Sequence, residues 1–115
     1  GFARTGQMFA SEDEGIVPDM MTLAKGIAGG LPLAAVVGKQ EIMDAPHVGG
    51  LGGTYGGNPI ATAAALGAMK AYDEGNLLER AHEIGAILQS ELTAMKSRDP
   101  RVGDVRGRGA MMAIE

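Results

Sequence analysis

Asp19-Met20-Met21-Thr22-Leu23-Ala24-Lys25-Gly26-Ile27-Ala28-Gly29-Gly30-Leu31-Pro32-Leu33 sets a single lysine between an apolar run and a glycine-rich turn. Met20 to Ala24 is a short, mostly apolar run between turn signals, the pattern of a buried strand, although periodicity alone also allows a helical turn, and Lys25 stands at its C-terminal end. The glycines that follow let another group approach the backbone. A lysine so placed suits Schiff-base formation with an aldehyde at the end of a sheet strand. An ordinary lysine is almost wholly protonated at neutral pH, so such a site has to desolvate the amine, as apolar neighbours would. Beyond Gly30, Leu31 to Val37 reads as a second strand, with Pro32 near its start, where a missing N–H is tolerated, and Gly38 at its end.

Working outward, Gly1 to Gly6 reads as a loop and Phe9 to Glu14 as a short acidic helix stopped at Gly15. On the other side, Gln40 to Ala45 reads as a helical turn ended by Pro46, and Val48 to Gly57 as a glycine-rich loop. Asn58 then caps a helix whose first residue, Pro59, loses no useful donor. The helix runs to Glu74, and its front half is so apolar that burial on most sides is expected. Gly75 suits a C-terminal cap, and Asn76 with Glu79 forms a capping-box-like start for the next helix. There Leu77, Ala81, Ile84, Leu88, Leu92 and Met95 make one apolar stripe, ended by Asp99-Pro100. Val102 to Glu115 reads as a strand broken by Gly107 and Gly109.

Composition removes several functions. The formal net charge is −4, with no basic run, so the electrostatic footprint of nucleic-acid binding is missing. There is no cysteine, hence no disulfide framework and no thiolate chemistry, and the two histidines, His47 and His82, lie far apart, so no metal site is expected. The least polar stretch is interrupted by Lys25, Gly29, Gly30 and Pro32 and does not read as a membrane span. Only 3% of residues are aromatic, which leaves a core of small and aliphatic side chains.

Two further constellations bear on chemistry. Gly49-Gly50-Leu51-Gly52-Gly53-Thr54-Tyr55-Gly56-Gly57-Asn58-Pro59 joins unobstructed backbone N–H groups and the Thr54 hydroxyl to the start of a helix, a combination that holds a phosphate. It is neither a P-loop nor a dinucleotide fingerprint, since the lysine of the one and a glycine at Tyr55 for the other are missing. In Val105-Arg106-Gly107-Arg108-Gly109 an arginine fork could clamp a carboxylate, although an exposed strand edge is the commoner meaning of such a pattern. Arg4 shares that ambiguity, and a lone lysine or glycine cluster is by itself most often a solvated charge or a plain loop.

In order and at these separations, Gly1-Phe2-Ala3-Arg4-Thr5-Gly6, Pro18-Asp19, Ala24-Lys25 to Leu33 and Gly53-Thr54-Tyr55-Gly56-Gly57-Asn58-Pro59 resemble the landmarks of class III pyridoxal-phosphate-dependent aminotransferases of fold type I. The resemblance spans essentially the whole chain, and Gly50 to Tyr55 is most similar to the members acting on 4-aminobutyrate. It implies an α/β fold, with residues 1–74 in the large cofactor domain and residues 75–115 as linking helix and first strand of the small C-terminal domain. It implies pyridoxal 5'-phosphate as cofactor, Lys25 as the lysine that binds it and shuttles the proton, and Thr54 as the threonine that reaches the cofactor phosphate of a neighbouring subunit, hence a homodimer. The implied reaction moves an amino group from an omega-amino acid to 2-oxoglutarate, in the cytoplasm or, in a eukaryote, the mitochondrial matrix. The pyridine-nitrogen acid, the upstream phosphate loop, the ring-stacking aromatic and the substrate-carboxylate arginine are expected outside these residues, so the chain is read as an internal segment that does not transaminate alone. Other class III reactions, such as those of ornithine-type aminotransferases, racemases or aminomutases, and a non-catalytic anion-binding module are the competing readings.

Overall fold

A computed structural model describes residues 1–115. β1 (Met20–Leu23) pairs antiparallel with β2 (Ala35–Gly38), Met20 facing Gly38 and Leu23 facing Ala35. The second strand is shorter than expected at its start. Gly29 and Gly30 have φ of +60° and +117° and Pro32 lacks an N–H, so Leu31 to Ala34 are spent returning the chain to β1 before pairing begins. β1 is only half covered, Met21 and Leu23 being half-buried and Met20 and Thr22 exposed, because the pair has no third strand and one bare face. A single 3-10 turn, Lys25–Ala28, joins the two strands, and another, Ala10–Glu12, stands where the acidic helix was expected.

α1 (Gln40–Met43) is one turn long. α2 (Pro59–Glu74) starts as the sequence indicates, with Asn58 Oδ1 accepting from the Ile60 and Ala61 amides at 2.9 and 3.3 Å. Its expected burial on most sides is not found. Ala61 is its one buried residue, while Ile60 and Leu66 are 72% and 74% exposed, since this chain covers a single face of the helix.

Gly75 closes α2 by donating to the Ala71 carbonyl at 2.9 Å. Asn76 makes no side-chain cap, contrary to expectation. It sits at φ 50°, in the left-handed region, whereas a cap needs extended backbone, and the tight link between the helices leaves no room for that. α3 (Leu77–Arg98) carries the expected stripe as far as Leu92, with Ala81 buried and Leu77, Ile84, Leu88 and Leu92 half-buried, whereas Met95 at its end is exposed.

The stripe is covered by a hairpin, β3 (Val105–Arg108) and β4 (Met111–Ile114), rather than by one broken strand. Gly109, at φ 52°, provides the positive φ that a two-residue turn requires. Gly85 on α3 receives that turn: a Cβ there would lie 2.3 Å from the Gly109 carbonyl oxygen.

The opening loop is the least exposed part of the molecule. Phe2, Ala3, Thr5 and Gly6 are buried, and the Arg4 carbonyl accepts from the Ala110 amide at 2.9 Å. Phe2 forms the core with Ile27 and Ala28, walled by Phe9, Met69 and Tyr72. The whole is elongated, 59 × 26 × 25 Å, with a radius of gyration of 18.0 Å where a compact chain of this length has about 13 Å. No helix is long and apolar enough to cross a membrane.

Candidate active site

β1 delivers Lys25 to the rim of the paired strands. Ala24 is still extended, Lys25 turns to φ 53°, and the 3-10 turn buries Ile27 and Ala28 beneath it. Lys25 itself is exposed and lines an open recess of about 480 Å³ with Gly26, Gly30, Leu31, Pro32 and Leu33. Its charge environment separates it from the other lysines. Lys39 is paired with Asp19, Lys70 with Glu74 and Lys96 with Asp104, whereas Lys25 has no carboxylate partner. Its amine is thus open to a ligand in the recess rather than tied in an ion pair.

Thr54 lies elsewhere, in the exposed loop ahead of α2, and the recess at Lys25 does not include it. Its hydroxyl and the amides of Thr54, Tyr55 and Gly57 donate to no protein group. The helix end contributes less than the sequence suggested. Asn58 occupies the Ile60 and Ala61 amides through its side chain and the Thr62 amide through its carbonyl, so the free donors are those of the loop. Loop donors and hydroxyl are uncharged and fit a phosphate dianion; the unpaired amine of Lys25 fits an aldehyde. The residues present therefore fit the aldehyde and the phosphate of pyridoxal phosphate, with Thr54 outside the recess that Lys25 lines.

The arginines take no part in this recess. Arg106 binds Asp104 at 2.9 Å and Glu115 at 3.1 Å, and Arg108 binds Glu14 at 2.6 Å. The Arg106 hydrogen bond holds the Asp104 carboxyl below the usual carboxylate range. Both guanidinium groups are exposed, as the commoner reading of that motif has it. His82 covers Gly6, where an added Cβ would fall 2.1 Å from the imidazole, and His47 lies in the loop before Gly49. Sequence reasoning missed Phe2 and Tyr72. The available signal was scarcity: the chain has four aromatic residues, and three of them, Phe2, Phe9 and Tyr72, meet beside the Lys25 turn.

Comparison with known proteins assigns the whole chain to one family. The family model described as aminotransferase class-III matches residues 1–115. The chain is 58% identical to a 4-aminobutyrate aminotransferase of Mycobacterium leprae, over 100% of this chain and 26% of that protein. It is 52% identical to a 5-aminovalerate aminotransferase of Pseudomonas aeruginosa, over 100% of this chain and 27% of the other. Among solved structures, the taurine:2-oxoglutarate aminotransferase of Bifidobacterium kashiwanohense, in complex with pyridoxal phosphate and glutamate, superposes with a TM-score of 0.91 at 38% identity, over 99% of this chain and 26% of that one. The chain thus spans about a quarter of the length of the relatives it matches.

Proposed function

Because the chain belongs to the class III aminotransferase family, we propose that it is the cofactor-lysine segment of an enzyme that moves an amino group from an omega-amino acid to a 2-oxo acid. The carrying observation is Lys25, the one lysine without a carboxylate partner, on a turn beside a glycine-lined recess. Bound there, pyridoxal phosphate supplies an aldehyde to take up the amino group and a ring that acidifies the adjacent carbon. Lys25 Nζ would tether the cofactor at rest and serve as the base that moves a proton from the substrate carbon to the cofactor. Thr54 and its loop amides meet the phosphate of the neighbouring subunit's cofactor, which makes the working unit a homodimer.

In this reading residues 1–74 belong to the cofactor domain and residues 75–115 lead into the small domain. The rest of the protein supplies the pyridine-nitrogen acid and the group that binds the substrate carboxylate. The relatives point to 4-aminobutyrate or 5-aminovalerate as donor and 2-oxoglutarate as acceptor.

The test uses the full-length protein. Borohydride reduction followed by digestion should leave the pyridoxyl mass on the Lys25 peptide, and a label only on another lysine would sink the assignment. Lys25→Ala should lower transamination by about 10⁴-fold, the upper range for loss of a positioned acid–base group. Glutamate formation with each donor then decides the substrate.

A further inference from the structure

Resting on Lys25 as the cofactor lysine, the geometry points to Phe2 and Tyr72 as positioning residues that hold the backbone of the turn on which Lys25 sits. The turn is weakly tied at its ends. The hydrogen bonds there, from the Ile27, Gly29 and Leu31 amides to the Ala24, Gly26 and Ala28 carbonyls, measure 3.4, 3.3 and 3.2 Å, at or beyond the long end for backbone pairs. Lys25 is left-handed at φ 53°, a conformation that a long L side chain keeps only where its surroundings impose it. Downstream, Gly29 and Gly30 have positive φ and open space around them, so they restrain little.

The restraint comes from the aromatic pair. The Phe2 ring stacks on that of Tyr72, with centroids 5.9 Å apart and planes 16° off parallel, and Phe2 is buried with Ile27 and Ala28 in one cluster. Tyr72 also donates from its hydroxyl to the carbonyl of Gly26, the residue after Lys25, at 3.3 Å. Gly26 is thereby boxed in: a Cβ there would lie 3.2 Å from the Tyr72 hydroxyl and 3.9 Å from Phe2 Cβ. The hydroxyl contact is long, so most of the restraint resides in the stacked rings. An amine that must add to a carbonyl and then move a proton is sensitive to such support, since a misplacement of about 1 Å costs about a hundredfold in rate.

The experiment compares Tyr72→Leu, Phe2→Leu and Tyr72→Phe in the full-length holoenzyme, with Leu92→Ala, on the hairpin-covered stripe of α3, as a control for destabilisation alone. Borohydride mapping of the wild type first establishes the labelled lysine. With the label on Lys25, Tyr72→Leu and Phe2→Leu should lower kcat by about tenfold with KM within about twofold. They should also move the pH midpoint of the visible band of the lysine-bound cofactor. Tyr72→Phe should stay within about twofold of wild type, because the stack survives. Leu92→Ala should lose thermal stability without moving the pH midpoint. The proposal falls if both leucine variants keep the wild-type kcat and midpoint, or if Leu92→Ala shifts them equally. A label on another lysine overturns the Lys25 reading and this proposal together.

Discussion

Lys25 and Gly26 divide the demands of the site between them. Lys25, the cofactor lysine proposed above, sits in a backbone conformation that would suit glycine better, and the Tyr72 hydroxyl and Phe2 stand over Gly26, where a side chain would be. A methyl 3.2 Å from that hydroxyl is tighter than ordinary contact, so Gly26→Ala should lower the thermal midpoint of the full-length protein. Tyr72→Phe removes the obstructing oxygen and loses only a long hydrogen bond. The double variant should therefore melt above Gly26→Ala alone, a non-additivity expected of residues in contact. Strictly additive midpoints would show that the two do not touch.

Among the elements, the contact between α3 and the β3–β4 hairpin is the most demanding. Gly85 lets the Gly109 carbonyl approach to where a Cβ would stand at 2.3 Å, and the obstacle is backbone, which has little freedom to yield. Gly85→Ala should destabilise the docked hairpin by about 1–3 kcal/mol, seen as faster hydrogen exchange across Val105–Ile114. Unchanged exchange there would mean that the hairpin is held from elsewhere. The same hairpin has an electrostatic tie in Arg106, Asp104 and Glu115. Because the Asp104 carboxyl titrates lower in the folded state than when unfolded, its contribution is complete above the ordinary carboxylate range. It is lost as the pH falls through the folded value. Exchange of the hairpin, corrected for its intrinsic pH dependence, should stay constant from neutral pH down to that range and rise only below it. An exposed tie of this kind also weakens with added salt.

At the scale of the molecule, the surface is too large for the mass. It amounts to 8170 Å², where a compact protein of 11.8 kDa exposes about 5,900 Å². The excess is of the size that obligate interfaces bury, and it includes Val17, Val48, Ile60 and Leu66. Expressed alone, the 115 residues should bind a hydrophobic dye and elute as oligomers or aggregates, while the full-length protein should do neither. A monodisperse, dye-free monomer would contradict that expectation. This excess also accounts for the half-covered β1 and the bare flank of α2, whose apolar residues have no partner surface within this chain.

Much of this was open to reading from the residues alone, because it depends on neighbours in sequence. Asn58-Pro59 set the start of α2, the three-and-four spacing from Leu77 to Leu92 set the buried face of α3, and Lys25 was placed at the end of its strand by the apolar run before it. Capping, helical period and strand termination are local physics, complete within a few residues. Other features belonged to the tertiary structure because they depend on groups far apart in the chain. Asn76 lost its cap to a tight reversal, and Gly85 and Gly109 had to meet across 24 positions. The opening hexapeptide, glycine-bounded and loop-like in sequence, became core because Phe2 found Tyr72 seventy positions away. Only in three dimensions do those two rings close on the turn that carries Lys25.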